Sequence, residues 1–122
     1  MILITGGAGF IGSNLVAALS EKVGAPKITV VDRLGIDDKW KNLANHLVHQ
    51  IIDPEQLDTF LSENGGSIEY VFHLGAISST TEKDVDLILR NNFNLSLKLW
   101  NWCTNHGIPF VYASSAATYG DG

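Results

Sequence analysis

The opening turn constrains this chain most. Thr5-Gly6-Gly7-Ala8-Gly9-Phe10-Ile11-Gly12 follows a short apolar run, residues 2–4, and leads into a helix-compatible stretch, residues 11–23. Strand, tight turn and helix in that order give each glycine a task. Gly6 permits the turn, Gly9 lets a diphosphate approach the backbone, and Gly12 lets helix pack close to strand. Unpaired N–H groups and the positive end of the helix dipole then favour phosphate charge. The turn therefore reads as a dinucleotide cradle, with a ligand-free glycine-rich turn as the alternative. No Gly-Lys-Ser/Thr ending follows it, which disfavours a P-loop nucleotidase.

The rest of the chain alternates strand and helix. Residues 27–32 predict a second strand through the β-branched run Ile28, Thr29, Val30 and Val31. Asp32 ends it about 20 residues beyond the last turn glycine, where a carboxylate accepts hydrogen bonds from a ribose hydroxyl. Arg33, Lys39 and Lys41 follow. Cations there neutralise a 2′-phosphate or form a solvated face, so these residues leave NAD against NADP open. Trp40 and Leu43 are expected to anchor a short connection. Residues 46–52 predict a third strand, buried on both faces. His46 and His49 lie three apart without a second ligand pair in the segment, so no metal site is expected. Asp53, Pro54 and Gln56 form a capping box that starts a helix running to about residue 64 and ending at Gly65-Gly66.

A fourth strand, residues 68–73, runs into Leu74-Gly75-Ala76-Ile77 and the hydroxyl cluster Ser78-Ser79-Thr80-Thr81. Small residues at a strand's carboxyl end let a flat cofactor pass close to the backbone. The hydroxyls divide between ligand contact and a capping box from Thr81 to Asp84. The next helix, residues 82–106, is expected to be the longest element, with Val85, Ile88, Leu95, Leu99 and Trp102 facing inward. Asn92 falls in the same row and needs polar partners, from cofactor or from neighbouring loop backbone. A slight rotation would point Asn91 in instead. Gly107 closes this helix, and residues 110–113 predict the fifth strand. Right-handed crossovers then give an α/β, doubly wound parallel sheet of Rossmann type with strand order 3-2-1-4-5.

Composition narrows the function. The chain has 122 residues, 45% of them hydrophobic, which suits one modest domain with a real core. A net charge of −5 without a basic stripe argues against nucleic-acid binding. Cys103 is the single cysteine, so no intrachain disulfide forms, and its apolar helical setting reads as core. No apolar run approaches the roughly 20 residues that span a bilayer. Met1 leads directly into the first strand without a basic leader, so a cytoplasmic protein is expected.

The run from Thr5 to Gly12 resembles the extended short-chain dehydrogenase/reductase family, which includes nucleotide-sugar epimerases and dehydratases. Three later segments sharpen the resemblance: His73-Leu74-Gly75-Ala76-Ile77-Ser78-Ser79-Thr80-Thr81-Glu82, Asn91-Asn92-Phe93, and Tyr112-Ala113-Ser114-Ser115-Ala116-Ala117-Thr118-Tyr119-Gly120. They are similar to the ADP-L-glycero-D-manno-heptose 6-epimerase group of that family. The resemblance implies an NADP-dependent isomerase, with NAD as the alternative cofactor, that inverts C6 of the heptose by transient hydride removal and return. Its product would feed lipopolysaccharide core synthesis. The resemblance also implies site roles. Gly6, Gly9, Phe10, Ile11 and Gly12 would form the diphosphate turn, Asp32 and Arg33 would meet the adenosine ribose, and Lys39 would lie near its phosphate. Leu74, Gly75, Ala76, Ile77, Ser78 and Asn91 would line the ribose–nicotinamide side, and Ser79 and Thr80 would meet the sugar. Ser115 matches the hydroxyl that hydrogen-bonds the reacting oxygen, where it can stabilise an alkoxide and relay a proton. An ADP-heptose partner and a homo-oligomeric parent protein follow from the same resemblance.

One family feature is missing. The base of this family is the tyrosine of Tyr-x-x-x-Lys, whose lysine lowers the phenol pKa. Tyr70 leads to Leu74, Tyr112 leads to Ala116, and Tyr119 lies too near the end. The expectation is an N-terminal part of a dinucleotide-binding domain, residues 1–122, without the later strands and substrate domain. Such a piece would be catalytically incomplete, with its fifth strand a sheet edge prone to self-association. Another nucleotide-sugar epimerase or dehydratase, or a non-catalytic dinucleotide sensor, are the competing functions.

Overall fold

A computed structural model describes residues 1–23, 27–36, 38–77, 83–115 and 120. Five strands form one parallel sheet: β1 (Ile2–Thr5), β2 (Ile28–Val31), β3 (Gln50–Ile52), β4 (Tyr70–His73) and β5 (Phe110–Tyr112). Their order is β3-β2-β1-β4-β5. This is the doubly wound α/β sheet that the alternating elements imply, and it reverses direction beside β1, between β2 and β4.

Side chains of a strand alternate between faces, and the two faces carry separate cores. Helix α1 (Phe10–Val23) covers one face. There Ile2, Ile4, Ile28 and Val30 pack with Ala8, Val16 and Leu43. The other face carries helix α2 (Leu57–Asn64) and the long helical stretch before β5. On it Leu3, Val31 and Val71 pack with Leu57, Phe60, Leu61, Leu99 and Cys103. A fully buried leucine or valine contributes about 1.5–3 kcal/mol, so these two layers fix the strand ends on which the cleft is built. Cys103 is a core residue, and burial pushes its thiol up to about 11.

The Asp53 capping box forms as the sequence predicts. Asp53 Oδ1 accepts from Glu55 N at 2.9 Å, and Gln56 Oε1 accepts from Asp53 N at 3.1 Å. The cap opens a short 3₁₀ turn, Pro54–Gln56, before α2 proper. Gly65 ends α2 in right-handed conformation and continues into a second 3₁₀ turn. Gly107 does adopt the left-handed conformation, with φ 64°, and the N–H of Ile108 returns to the carbonyl of Cys103 at 2.9 Å.

Three expectations need correction. β3 is short and lies at the sheet edge, with Leu47 80% exposed rather than buried, because a strand paired on one side only has less to pack against. Trp40 is exposed, and Leu43 alone anchors the connection. The long helix is three pieces: α3 (Val85–Ile88), a π-helical stretch (Leu89–Asn94) and α4 (Leu95–His106). The wide turns take in an extra residue, so the row before them rotates out of phase with the row after. Leu99 is buried as expected, while Val85 is 64% exposed. Asp84 caps α3, its carboxylate accepting from Leu87 N at 2.9 Å; Thr81 lies outside the described residues. Leu89, Phe93, Leu97 and Trp100 of this stretch are exposed, as are Val111 and Tyr112 of the edge strand β5, with the Trp100 ring edge-on to Tyr112.

Candidate functional site

An open cleft lies beyond the carboxyl ends of β1, β2, β4 and β5. One wall is the glycine turn. Gly6 has φ 69°, and a Cβ on it would sit 2.6 Å from the backbone N and Cα of Gly75. A Cβ on Gly12 would collide with the Gly6 carbonyl oxygen. Both positions therefore exclude any larger residue without movement of the backbone. Ser13 is the first helical residue whose N–H finds a carbonyl, that of Gly9 at 2.9 Å. Among the described residues, no protein group accepts from the N–H of Phe10, Ile11 or Gly12. Three open donors at the start of a 14-residue helix form an anion cradle.

Asp32 holds this turn from below. Its carboxylate is buried and accepts from Ala8 N at 2.8 Å, and Asn42 Nδ2 donates to the carbonyl of the same residue at 2.9 Å. The other carboxylate oxygen lies 2.5 Å from Lys39 Nζ. Lys39 and Asn42 both come from the 3₁₀ turn Asp38–Asn42, which packs under the cleft through the buried Leu43. Arg33 is turned toward Glu55, at 2.8 Å, and Asp53, at 3.7 Å. Three carboxylates, Asp32, Asp53 and Glu55, thus meet two cations, Arg33 and Lys39, at the β2 end of the cleft.

The opposite wall is a side-chain network of which sequence reading anticipated only the contact of Asn92 with neighbouring loop backbone. Thr5 and His73 stand opposite each other at the ends of β1 and β4. Thr5 Oγ1 lies 2.6 Å from His73 Nδ1 and accepts from Gly75 N at 3.1 Å. His73 Nε2 lies 2.7 Å from Ser96 Oγ, which donates to the Asn92 carbonyl at 2.8 Å. The Asn92 side chain then grips the backbone of Ile77, accepting from its N–H at 2.7 Å and donating to its C=O at 2.9 Å. Burial lowers the His73 pKa below its ordinary 6.5. The strand order itself held the missing signal: once β1 and β4 are neighbours, a threonine and a histidine that end them share one rung.

Every described residue of the expected site faces this cleft. Gly6, Gly9, Phe10, Ile11 and Gly12 form the turn wall, Asp32, Arg33 and Lys39 the β2 end, and Leu74, Gly75, Ala76, Ile77 and Asn91 the β4 side; Ser115 lies beyond β5. Asn91 donates to the Leu87 carbonyl at 2.8 Å, so Asn92, rather than Asn91, secures the loop. Ser78, Ser79 and Thr80 lie outside the described residues. Among the described residues, no cluster of three His, Cys, Asp or Glu side chains could hold a metal, and no helix is long and apolar enough to cross a membrane. The open amides, the crowded glycines and the adjacent carboxylate and cations fit a dinucleotide diphosphate and its ribose.

Known proteins are similar to this chain. An ADP-L-glycero-D-manno-heptose-6-epimerase of Fusobacterium nucleatum is 47% identical across 100% of this chain. The Helicobacter pylori ADP-L-glycero-D-manno-heptose-6-epimerase structure superposes with a TM-score of 0.80, at 31% identity over 99% of this chain and 41% of that one. The Bacillus cereus UDP-glucuronic acid 4-epimerase, solved in complex with NAD, has a TM-score of 0.74 and 31% identity over the same shares, 99% and 41%. The chain spans 37% of the length of its Fusobacterium relative. The NAD dependent epimerase/dehydratase family matches residues 2–122, and the chain belongs to that family.

Proposed function

We propose that this chain is the dinucleotide-binding part of an NADP-dependent ADP-glycero-manno-heptose 6-epimerase that serves lipopolysaccharide precursor synthesis in the cytoplasm. The open N–H groups of Phe10, Ile11 and Gly12 carry the reading, because they await an acceptor where a diphosphate would lie. The 47% identity to a heptose epimerase across the whole chain supports the substrate.

When bound, the dinucleotide supplies reversible hydride acceptance at the sugar carbon. The chain's own residues do the rest. The turn amides bind the diphosphate, and Asp32 accepts from a ribose hydroxyl. Lys39 and Arg33, paired with Asp32 and with Glu55 and Asp53, are the cations on which a 2′-phosphate would draw, the ground for proposing NADP over NAD. Residues 74–77 and Asn91 flank the nicotinamide side, and the Ser115 hydroxyl holds the reacting oxygen and passes its proton. The tyrosine–lysine pair and the sugar-binding domain that this activity requires would have to be supplied from outside these 122 residues. The 122 residues alone bind cofactor without turnover. A homo-oligomeric parent belongs to the same reading.

Calorimetric titration of the chain with NADP and NAD tests the binding: NADP should bind more tightly, and absence of affinity for both would refute it. A protein carrying this chain at its relatives' full length should interconvert the C6 epimers of ADP-heptose in D2O without incorporating deuterium at C6. A second reading, action on another nucleotide sugar, is favoured by the equal 31% identity to a UDP-glucuronic acid 4-epimerase. Turnover of a UDP-sugar in place of ADP-heptose would select it.

A further inference from the structure

The two cations at the β2 end are held in different ways. Lys39 Nζ lies 2.5 Å from the buried Asp32 carboxylate and donates to the Arg33 carbonyl at 3.3 Å. An ammonium carries three hydrogens, so one is left for a phosphate while both contacts stay. Taking Lys39 from Asp32 would strand a buried carboxylate, so that pair persists whatever binds.

Arg33 is free to trade partners. It is half-exposed, and the edge of its guanidinium formed by Nε and Nη2 faces Asp53 at 3.7 Å and Glu55 at 2.8 Å. Asp53 has a second task, because its Oδ1 caps the turn through Glu55 N. Glu55 has none: its carboxylate is 81% exposed, and among the described residues Arg33 is the one group that its side chain holds. Arg33 lines both the cleft and a smaller hollow beside it, whereas Glu55 lines the hollow alone. The guanidinium therefore stands between the cleft and a carboxylate that reaches it from outside.

We infer that Glu55 tunes the choice between NADP and NAD, by withholding Arg33 from the 2′-phosphate. This rests on the dinucleotide reading above. NAD brings no charge to this position and leaves the Arg33–Glu55 pair as it stands. NADP must displace Glu55 from the Nε–Nη2 edge, or bind an Arg33 whose charge two carboxylates already offset. By either route Glu55 subtracts from NADP binding and leaves NAD binding alone. Three carboxylates against two cations also make this end negative before a phosphate arrives. The displaced carboxylate returns to water, so the exchange is mild. A contact of this exposure is worth about two- to fivefold in affinity.

Calorimetric titration of the chain and of Glu55→Gln with NADP and NAD tests the inference. Glutamine keeps the backbone N–H that Asp53 caps and nearly the same shape, so the fold is retained. NADP should bind Glu55→Gln about two- to fivefold more tightly than wild type, with NAD affinity unchanged, and the gain should shrink at about 0.5 M salt. In an Arg33→Met background the same Glu55→Gln change should bring no gain, because nothing is left to withhold. Weaker NADP binding by Glu55→Gln would show that Glu55 orients Arg33 for the phosphate, and would overturn the inference. So would an equal gain for both cofactors, or a gain that survives in Arg33→Met. A wild type that prefers NAD, with Glu55→Gln still moving the ratio toward NADP, would remove the NADP assignment and leave the role of Glu55 standing. No binding of either cofactor to wild type or variant would remove the dinucleotide reading and this inference with it.

Discussion

The two walls of the cleft are made of different material. On the β1–α1 side the working groups are backbone: open amides, glycines with no room for a side chain, and one buried carboxylate that holds the Ala8 peptide. On the β4–α4 side the loop is held by side chains, through a relay of threonine, histidine, serine and asparagine. The strands differ in the same way. β1 and β2 are buried at every residue, whereas β5 is half-buried at Phe110 and exposed at Val111 and Tyr112. A backbone wall is fixed once the chain folds; a side-chain wall can change with one substitution.

Substitutions can break this contrast in graded steps. The largest effect belongs to Leu99→Ala, which opens a cavity beneath the side-chain wall. It should destabilise the chain by about 2–5 kcal/mol in denaturant unfolding and loosen the Ile77 amide before that of Ser13 in hydrogen exchange. Equal loosening of both would show that the walls are one unit. Asp32→Ala leaves the Ala8 N–H buried without its acceptor and should cost about 1–3 kcal/mol. Asp32→Asn retains an acceptor and should cost less, so identical thermal shifts for the two variants would show that the Lys39 pair, rather than the Ala8 bond, is what matters. Asp53→Ala removes a helix cap whose carboxylate also lies 3.7 Å from Arg33. A loss of about 1 kcal/mol is expected in denaturant unfolding, smaller than either effect above.

The contrast also explains what could be read from sequence. The glycine turn was legible because each constraint there is steric: the absence of a side chain at Gly6 and Gly12 is itself the signal. Asp53 with Gln56, and Gly107, were legible because caps are local, settled within a few residues. The His73 relay was not, because its members are 68 and 23 residues apart in sequence, and only the β1–β4 pairing brings them together. The π-helical stretch escaped for a related reason. A three-four row of apolar residues assumes one helical period, and Leu89–Asn94 departs from it beside the Asn92 clamp. β3 was mistaken for a buried strand because a run of aliphatic residues reads alike at a sheet's centre and at its edge.

Backbone amide shifts of Phe10, Ile11 and Gly12 on addition of NADP test most directly whether the glycine turn is a diphosphate cradle. All three should move and gain exchange protection together as the chain saturates. NADP binding that leaves these three amides unmoved would contradict it.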